Sequence, residues 1–320
     1  MNIRSVAVYT EPDRHALHVK RADEAYCVGE DPLAGYLDPR QLVNLAVQTG
    51  CDAIHPGYGF LSENSEFARI CESRGVRFIG PSADVIARMG DKTAARASMI
   101  EADVPVTPGS DGNLADVDEA LQVAEKIGYP VMLKATSGGG GRGIRRCDSP
   151  DDLKKQFSRV ISEATKAFGS ADVFLEKCIV DPKHIEVQVL ADSQGNVIHL
   201  YERDCSIQRR NQKLIEIAPS PQLTPEQRQY VGELAVRASK AVGYENAGTV
   251  EFLVTGHEIY FMEMNTRVQV EHTISEQITG VDIVQEQIRI ASGLPLRYRQ
   301  EDISYRGFAL QFRINAEDHK

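Results

Sequence analysis

Thr249-Val-Glu-Phe-Leu253 and Ile259-Tyr-Phe-Met-Glu-Met-Asn265 read as the two arms of one hairpin, because both are rich in β-branched and aromatic residues and Gly256 stands between them. A turn over Gly256 to Glu258 would set Glu251 across from Glu263, with Asn265 on the same face. Two carboxylates opposed on a strand pair repel each other unless a cation lies between them. Two Glu and one amide oxygen suit a Mg2+ ion that keeps some waters and bridges nucleotide phosphates. A solvated polar face is the alternative, since such cross-strand repulsion is modest. Continued at period two, the pattern runs through Arg267, Gln269 and Glu271, with Val268 and Val270 turned the other way. An arginine and a carboxylate just beyond a metal pair could bind an anion and take a proton from it; a surface ion pair is the plainer alternative.

Working toward the N-terminus, Ile185-Glu-Val-Gln-Val-Leu190 and Val197-Ile-His-Leu-Tyr201 flank the turn Ser193-Gln-Gly-Asn196 and form another hairpin. Thr224-Pro-Glu-Gln227 is a capping box that starts a helix reaching about Val242. Further back, Pro130-Val-Met-Leu-Lys134 and Asp172-Val-Phe-Leu-Glu176 are strands, and Ser149-Pro-Asp-Asp152 begins a helix between them. The run Ser137-Gly-Gly-Gly-Gly-Arg-Gly143 lets backbone N–H groups fold around phosphate oxygens, and it is not a Walker loop, which needs Gly-Lys-Ser/Thr and an immediate helix. It reads as a phosphate flap or as a mobile linker. Lys134 favours the flap by placing a point charge beside it. Lys92 is a second such candidate, or else a solvated lysine at the start of a helix over Thr93 to Ala102.

The first 90 residues alternate short β-rich runs (Ser5 to Tyr9, Asp52 to His55, Val76 to Ile79) with helical spacing such as Phe67, Ile70 and Cys71. That order gives a parallel sheet and most of a Rossmann-like domain. Its first β-α unit is expected to be missing. At the other end, Gly307 to Ile314 reads as a last strand, so a fragment is expected, with Arg313 poorly held on an unpaired edge. The predicted organisation is 1–90 Rossmann-like, 91–105 helix and linker, 106–178 a small α+β lid, and 179–320 a hairpin-rich body.

The chain of 320 residues has 42% hydrophobic and 26% charged residues, which is globular. Its 36 Lys plus Arg against 46 Asp plus Glu give a net charge of −10, which repels a phosphate backbone and argues against nucleic acid as a partner. Arg209, Arg210 and Lys213 survive as a local basic spot suited to a small anion, or as a solvated loop. The six cysteines form no CxxC pair or Cys/His cluster, so neither zinc nor a disulfide framework is indicated. With no bilayer-length apolar run and no signal-peptide layout, no membrane is involved and a reducing, cytoplasmic setting is expected.

Taken together, His55-Pro-Gly-Tyr-Gly-Phe-Leu-Ser-Glu-Asn64, Gly90-Asp-Lys92, the Ser137 to Gly143 flap, His184-Ile-Glu-Val-Gln188, Glu202 to Arg210 and Glu263 to His272 resemble the biotin carboxylase component of biotin-dependent carboxylases. The resemblance covers essentially the whole chain and implies an ATP-grasp ligase: a Rossmann-like α/β domain followed by an ATP-grasp lid and body of α+β character. It implies ATP held by Lys92, Lys134, Gly140, Gly141, the hinge Glu176-Lys177-Cys178-Ile179, His184 and Asn211. It further implies Mg2+ or Mn2+ on Glu251, Glu263 and Asn265. Bicarbonate would lie among Lys213, Arg267, Gln269, Val270 and Glu271, with Glu271 as general base and Arg267 stabilising the biotin enolate, while Arg313 would hold the biotin ring.

The implied reaction carboxylates biotin on a carrier protein or domain, through carboxyphosphate, for a separate carboxyltransferase. A homodimer is implied for the full-length protein. Another bicarbonate-activating ATP-grasp ligase and a nucleotide-binding fragment without turnover are the rival readings. The chain departs from the family pattern at Asn211, where His is usual, and at Ile217, where many members carry a second Glu; this bears on ribose contacts and on the charge near Lys213. Asn211-Gln-Lys and Glu216-Ile-Ala-Pro resemble stand-alone subunits of two-subunit pyruvate carboxylases.

Overall fold

The computed structural model describes residues 1–136, 143–169 and 172–315. In the N-terminal part the β-α-β-α order is present as β1 (Val6–Tyr9), α1 (Leu17–Arg21), β2 (Glu24–Cys27), α2 (Pro39–Gln48), β3 (Ala53–Ile54), α3 (Ser65–Ser73), β4 (Arg77–Phe78) and α4 (Ala83–Gly90). β1 pairs with β2 and β3 with β4, both parallel, so the described strands form two pairs rather than one continuous sheet. Asp38, Asn64 and Ser82 cap the three longer helices, whose apolar faces close a core around Val43, Phe67, Cys71 and Ile86.

α5 (Lys92–Glu101) begins one residue earlier than the sequence pattern suggests, because the Asp91 side chain accepts from the N–H groups of Thr93 and Ala94. The cap thereby sets Lys92 at the head of the helix. Next come α6 (Val117–Ile127), β5 (Val131–Ala135), β6 (Ile144–Cys147), α7 (Pro150–Phe168) and β7 (Val173–Lys177). Their three antiparallel strands lie in the order β6-β5-β7 and carry the two helices on one side. Along β5, Val131 and Leu133 are buried under those helices and Ala135 is buried on the same face, so Met132 and Lys134 face the opposite way.

The body is one antiparallel sheet of six strands, ordered β12-β11-β8-β9-β10-β13. These are β8 (Lys183–Ala191), β9 (Val197–Arg209), β10 (Gln212–Ala218), β11 (Asn246–Thr255), β12 (Glu258–Asn265) and β13 (Ala309–Phe312), with α8 (Pro225–Ala241), α9 (His272–Thr279) and α10 (Ile283–Ala291) alongside. Ile185, Val187 and Val189 of β8 and Val250, Phe252 and Val254 of β11 pack on α8 and α5. Period two then commits His184, Glu186 and Gln188, and Thr249 and Glu251, to the other face.

Glu251 does face Glu263, but by a different route from the one expected. The turn holds two residues, Gly256 and His257, since Thr255 pairs with Glu258. A bulge between Glu251 and Phe252 leaves Met262 unpaired and restores the register. The segment after Tyr201 is also strand, not loop: β9 runs on to Arg209 and turns into β10 through Arg210 and Asn211, whose φ angles are 53° and 64°. Asparagine tolerates that left-handed backbone, which suits a tight hairpin turn. β13 is not left unpaired; it pairs with β10 from Ala309 to Phe312, and Arg313 N–H donates to Leu214 O at 2.9 Å.

His199 on β9 sits beneath α8 at Gly232, where a Cβ would come within 2.6 Å of the imidazole. Burial pulls its pKa down to about 4, and the N–H of Tyr201 donates to its Nδ1, which must then be unprotonated. The unfolded chain takes up this proton near pH 6.5, the folded one only near 4. Stability is therefore full above pH 6.5 and declines as pH falls toward 4, by about 3 kcal/mol at the limit. Urea midpoints for the native chain and His199→Gln should diverge less at pH 5 than at pH 7.5; parallel pH dependences would remove His199 from the account.

Candidate active site

One cavity of about 1090 Å³ opens between the three-stranded lid sheet and the free face of the body sheet. Every site residue expected from the sequence lines it except Gly140 and Gly141, which lie outside the described residues with the rest of 137–142. On the lid side, Lys134 Nζ donates to Glu176 Oε2 at 2.5 Å, and Arg96 approaches the same carboxylate at 3.8 Å. Lys92 lines the same cavity; burial, with Lys134 nearby, brings its ammonium below the usual lysine range despite Glu263. Two lysines converging on one void make a site for a polyanion. Of the hinge, Cys178 N–H donates to Pro130 O, while the Lys177 ammonium turns away to the carbonyls of Gly128 and Tyr129.

On the body side, Glu251 is fully engaged. Its Oε1 accepts from Lys213 Nζ at 2.9 Å, Asn265 Nδ2 at 2.8 Å and Gln269 Nε2 at 3.0 Å, while His184 Nε2 lies 2.8 Å from Oε2, too poorly aligned for a full hydrogen bond. Burial alone would raise the Glu251 pKa, but His184 and Lys213 outweigh it and hold the group ionised. Glu263 behaves in the opposite way. Its surface opens to the cavity, yet protein crowds the carboxylate; that crowding first, and the Glu251 charge second, raise its pKa. Two opposed carboxylates, one resisting ionisation, fit a divalent cation, and Asn265 Oδ1 keeps a lone pair beside the one used by Arg267. His184, Glu186 and Glu251 also converge, but the Lys213 ammonium already binds both carboxylates there.

The strand does not continue beyond Asn265 as the alternating pattern implied. The chain bends at Thr266 and Arg267 and turns at Val270 and Glu271, and the bend itself brings Arg267, Gln269, Val270 and Glu271 to the same cavity. Glu63 fixes this bend, accepting from Thr266 N–H at 3.1 Å and from Arg267 Nε at 2.9 Å. Glu271 Oε1 accepts from Lys213 Nζ at 2.9 Å and its Oε2 from Arg313 Nη2 at 2.8 Å. Arg313 is further held by Glu216 at 2.7 Å, so it is firmly placed rather than frayed. Lys213 also binds Glu186; burial opposes its charge, but Glu186 and Glu251 override this and raise its pKa.

Glu63, Glu186, Arg203 and Glu216 were not singled out by the pattern of charges, although the first three lie inside the motifs that carry the family resemblance. Each touches a predicted residue rather than open space, so no ligand-binding signature marks it. Glu186 was the most accessible to inference, two positions after His184 on a strand and therefore on the same face.

The lid-and-body cavity with lysines on one wall and opposed carboxylates on the other defines an ATP-grasp ligase. The biotin carboxylase N-terminal domain model matches residues 1–86, and the model described as carbamoyl-phosphate synthase L chain, ATP binding domain, matches 91–299. The chain is 58% identical over 321 residues to the 2-oxoglutarate carboxylase small subunit of Hydrogenobacter thermophilus, covering 100% of this chain and 68% of the relative. It superposes at a TM-score of 0.93 and 58% identity on that organism's biotin carboxylase domain dimer in complex with MgADP, ADP and bicarbonate, covering 99% of this chain and 70% of the other. The Campylobacter jejuni biotin carboxylase complex with β,γ-ATP gives 0.94 at 48% identity, over 98% and 71%. The chain belongs to the biotin carboxylase family.

Proposed function

We propose that this cavity couples ATP cleavage to the carboxylation of biotin by bicarbonate. The observation that carries the reading is the joining of two half-sites: the opposed Glu251 and Glu263 stand in one cavity with Lys213, Arg267, Glu271 and Arg313. Bicarbonate takes the γ-phosphoryl group to give carboxyphosphate and ADP; carboxyphosphate breaks down to CO2 and phosphate; the phosphate takes the ureido proton, and biotin attacks CO2. Glu251, Glu263 and Asn265 would hold a divalent cation, which would neutralise charge on the phosphoryl oxygens. Lys92 and Lys134 draw the phosphates to one wall, and Lys213 and Arg267 orient the anion. Glu271 removes the bicarbonate proton after Lys213 or Arg313 lets go of it. Arg313 then meets the biotin ring.

The biotin arrives on a carrier protein or domain, and its carboxyl group leaves for a separate carboxyltransferase; a homodimer is the proposed assembly. We place the protein in the cytoplasm, supported by six unpaired cysteines. No helix among the described residues is long and apolar enough to cross a membrane. A lid over 106–178 is supported by its own hydrophobic core from Leu114 to Leu175, while the body core also takes in Val85 and Met89 from the first segment and Ala95, Met99 and Val104 from the second, so the divisions at 90 and 105 do not separate cores.

Phosphate release that depends on both bicarbonate and free biotin is the test. Stimulation by biotin separates this reading from another bicarbonate-activating ligase, and its absence overturns it. Mg-ATP should also stabilise the chain by about 2.7 kcal/mol at a concentration about 100-fold above its Kd. A melting temperature indifferent to Mg-ATP would count against a preformed nucleotide site.

A further inference from the structure

Arg203 on β9 is a fully buried charged side chain that does not itself line the cavity. A guanidinium has five N–H donors, and all five are used. Nε donates to Glu186 Oε1 at 2.5 Å, Nη1 to Gln188 Oε1 at 2.8 Å and Ser275 Oγ at 3.0 Å, and Nη2 to Thr249 Oγ1 at 3.2 Å and Gln269 Oε1 at 3.0 Å. Two of these partners lead to the cavity. Glu186 passes its other oxygen to Lys213, and Gln269, its oxygen taken by Arg203, must aim its amide nitrogen at Glu251. Lys213 and Glu251 are themselves bonded at 2.9 Å, so the side chains of Arg203, Glu186, Lys213, Glu251 and Gln269 close a ring.

We infer that Arg203 is a positioning residue for the anion half of the site, setting Lys213 and Gln269 through this ring without touching the substrate. The inference rests on the function proposed above. Lysine cannot replace it, because an ammonium has three donors and no planar fork with which to hold Glu186 and Gln269 at once. The remaining acceptors, on β8, β11 and α9, anchor the guanidinium to the sheet and to the helix after the bend, so the ring has a fixed base. On the nucleotide side, Lys134 and Glu176 bond to each other, with Arg96 beside them, rather than to the ring.

The test is Arg203→Lys in the full chain. Its crystal structure should show the Gln269 carboxamide turned or withdrawn from Glu251; Gln269, Glu186 and Lys213 left where they are would overturn the inference whether or not the chain turns over. In bicarbonate-dependent ATP cleavage the bicarbonate KM should rise about 10- to 100-fold while the Mg-ATP KM moves by less than about threefold. A merely structural role would instead reduce the amount of folded enzyme at native KM values, or harm both substrates alike, and either result refutes it. If Arg203→Lys does not fold, Gln188→Leu removes one acceptor remote from the cavity. Its bicarbonate KM should shift the same way by about threefold, and a native value overturns the inference. A native chain with no bicarbonate-dependent cleavage would refute the proposed function, leaving the variant's crystal structure to judge Arg203.

Discussion

Arg267→Ala should leave Mg-ATP binding within about twofold of native and cut biotin-dependent turnover by about 10²- to 10³-fold, the loss typical of one preorganised electrostatic donor. The guanidinium stands on the bend after β12, held by Glu63 on one side and Asn265 on the other. It is therefore fixed in advance and faces the anion half of the cavity. The transition state spreads negative charge over the ureido oxygen and the departing phosphate, and a donor already in place stabilises that charge without reorganisation. Calorimetry with Mg-ADP and a phosphate-release assay check the two halves separately. Lost nucleotide affinity with intact biotin dependence would assign Arg267 to the wrong ligand.

Glu263→Gln carries two opposite effects. In the ligand-free chain it removes a carboxylate that resists ionisation beside Glu251, so the melting temperature at pH 7.5 should rise. With Mg-ATP the gain should reverse, because the amide is a poor ligand for a hard cation, and turnover should drop by about 2 to 4 kcal/mol of transition-state stabilisation. The sign follows from linkage. The folded pKa is raised above the unfolded one, so native Glu263 costs stability once pH passes the unfolded value, and the amide is free of that cost. Comparing melting curves of both proteins across pH, with and without Mg-ATP, checks the pair. A variant of lower intrinsic stability and unchanged response to Mg-ATP would refute the cation assignment.

The chemistry of this site was more legible in the sequence than its backbone. Alternation placed Glu251, Glu263 and Asn265 on one face because the pairing runs without a shift from Glu251 against Glu263 to Thr249 against Asn265. It failed at irregularities that carry no compositional mark. The extra residue at Met262 offsets a turn one residue shorter than expected, so the correct pairing was reached from two compensating deviations. Tyr201, with a φ of 62°, breaks the alternation of β9 and hides the eight residues of strand beyond it. Arg267, Gln269 and Glu271 come together for a reason other than the one the alternation suggests: they share the cavity because the chain bends, not because a strand continues. Arg203 could not be found at all, since a buried arginine with every donor used looks in sequence like any surface arginine.

Lys213 rests among Glu186, Glu251 and Glu271, and Arg313 between Glu216 and Glu271. This half of the cavity thus carries its own counterions, and an anion arriving at Lys213 or Arg313 meets a cation that is already paired. Arrival becomes a partner exchange, as on an ion-exchange resin: the newcomer takes a cation, and a tethered carboxylate is turned loose. Glu271 is shared by both cations, so such an exchange acts on the carboxylate proposed above to take the bicarbonate proton.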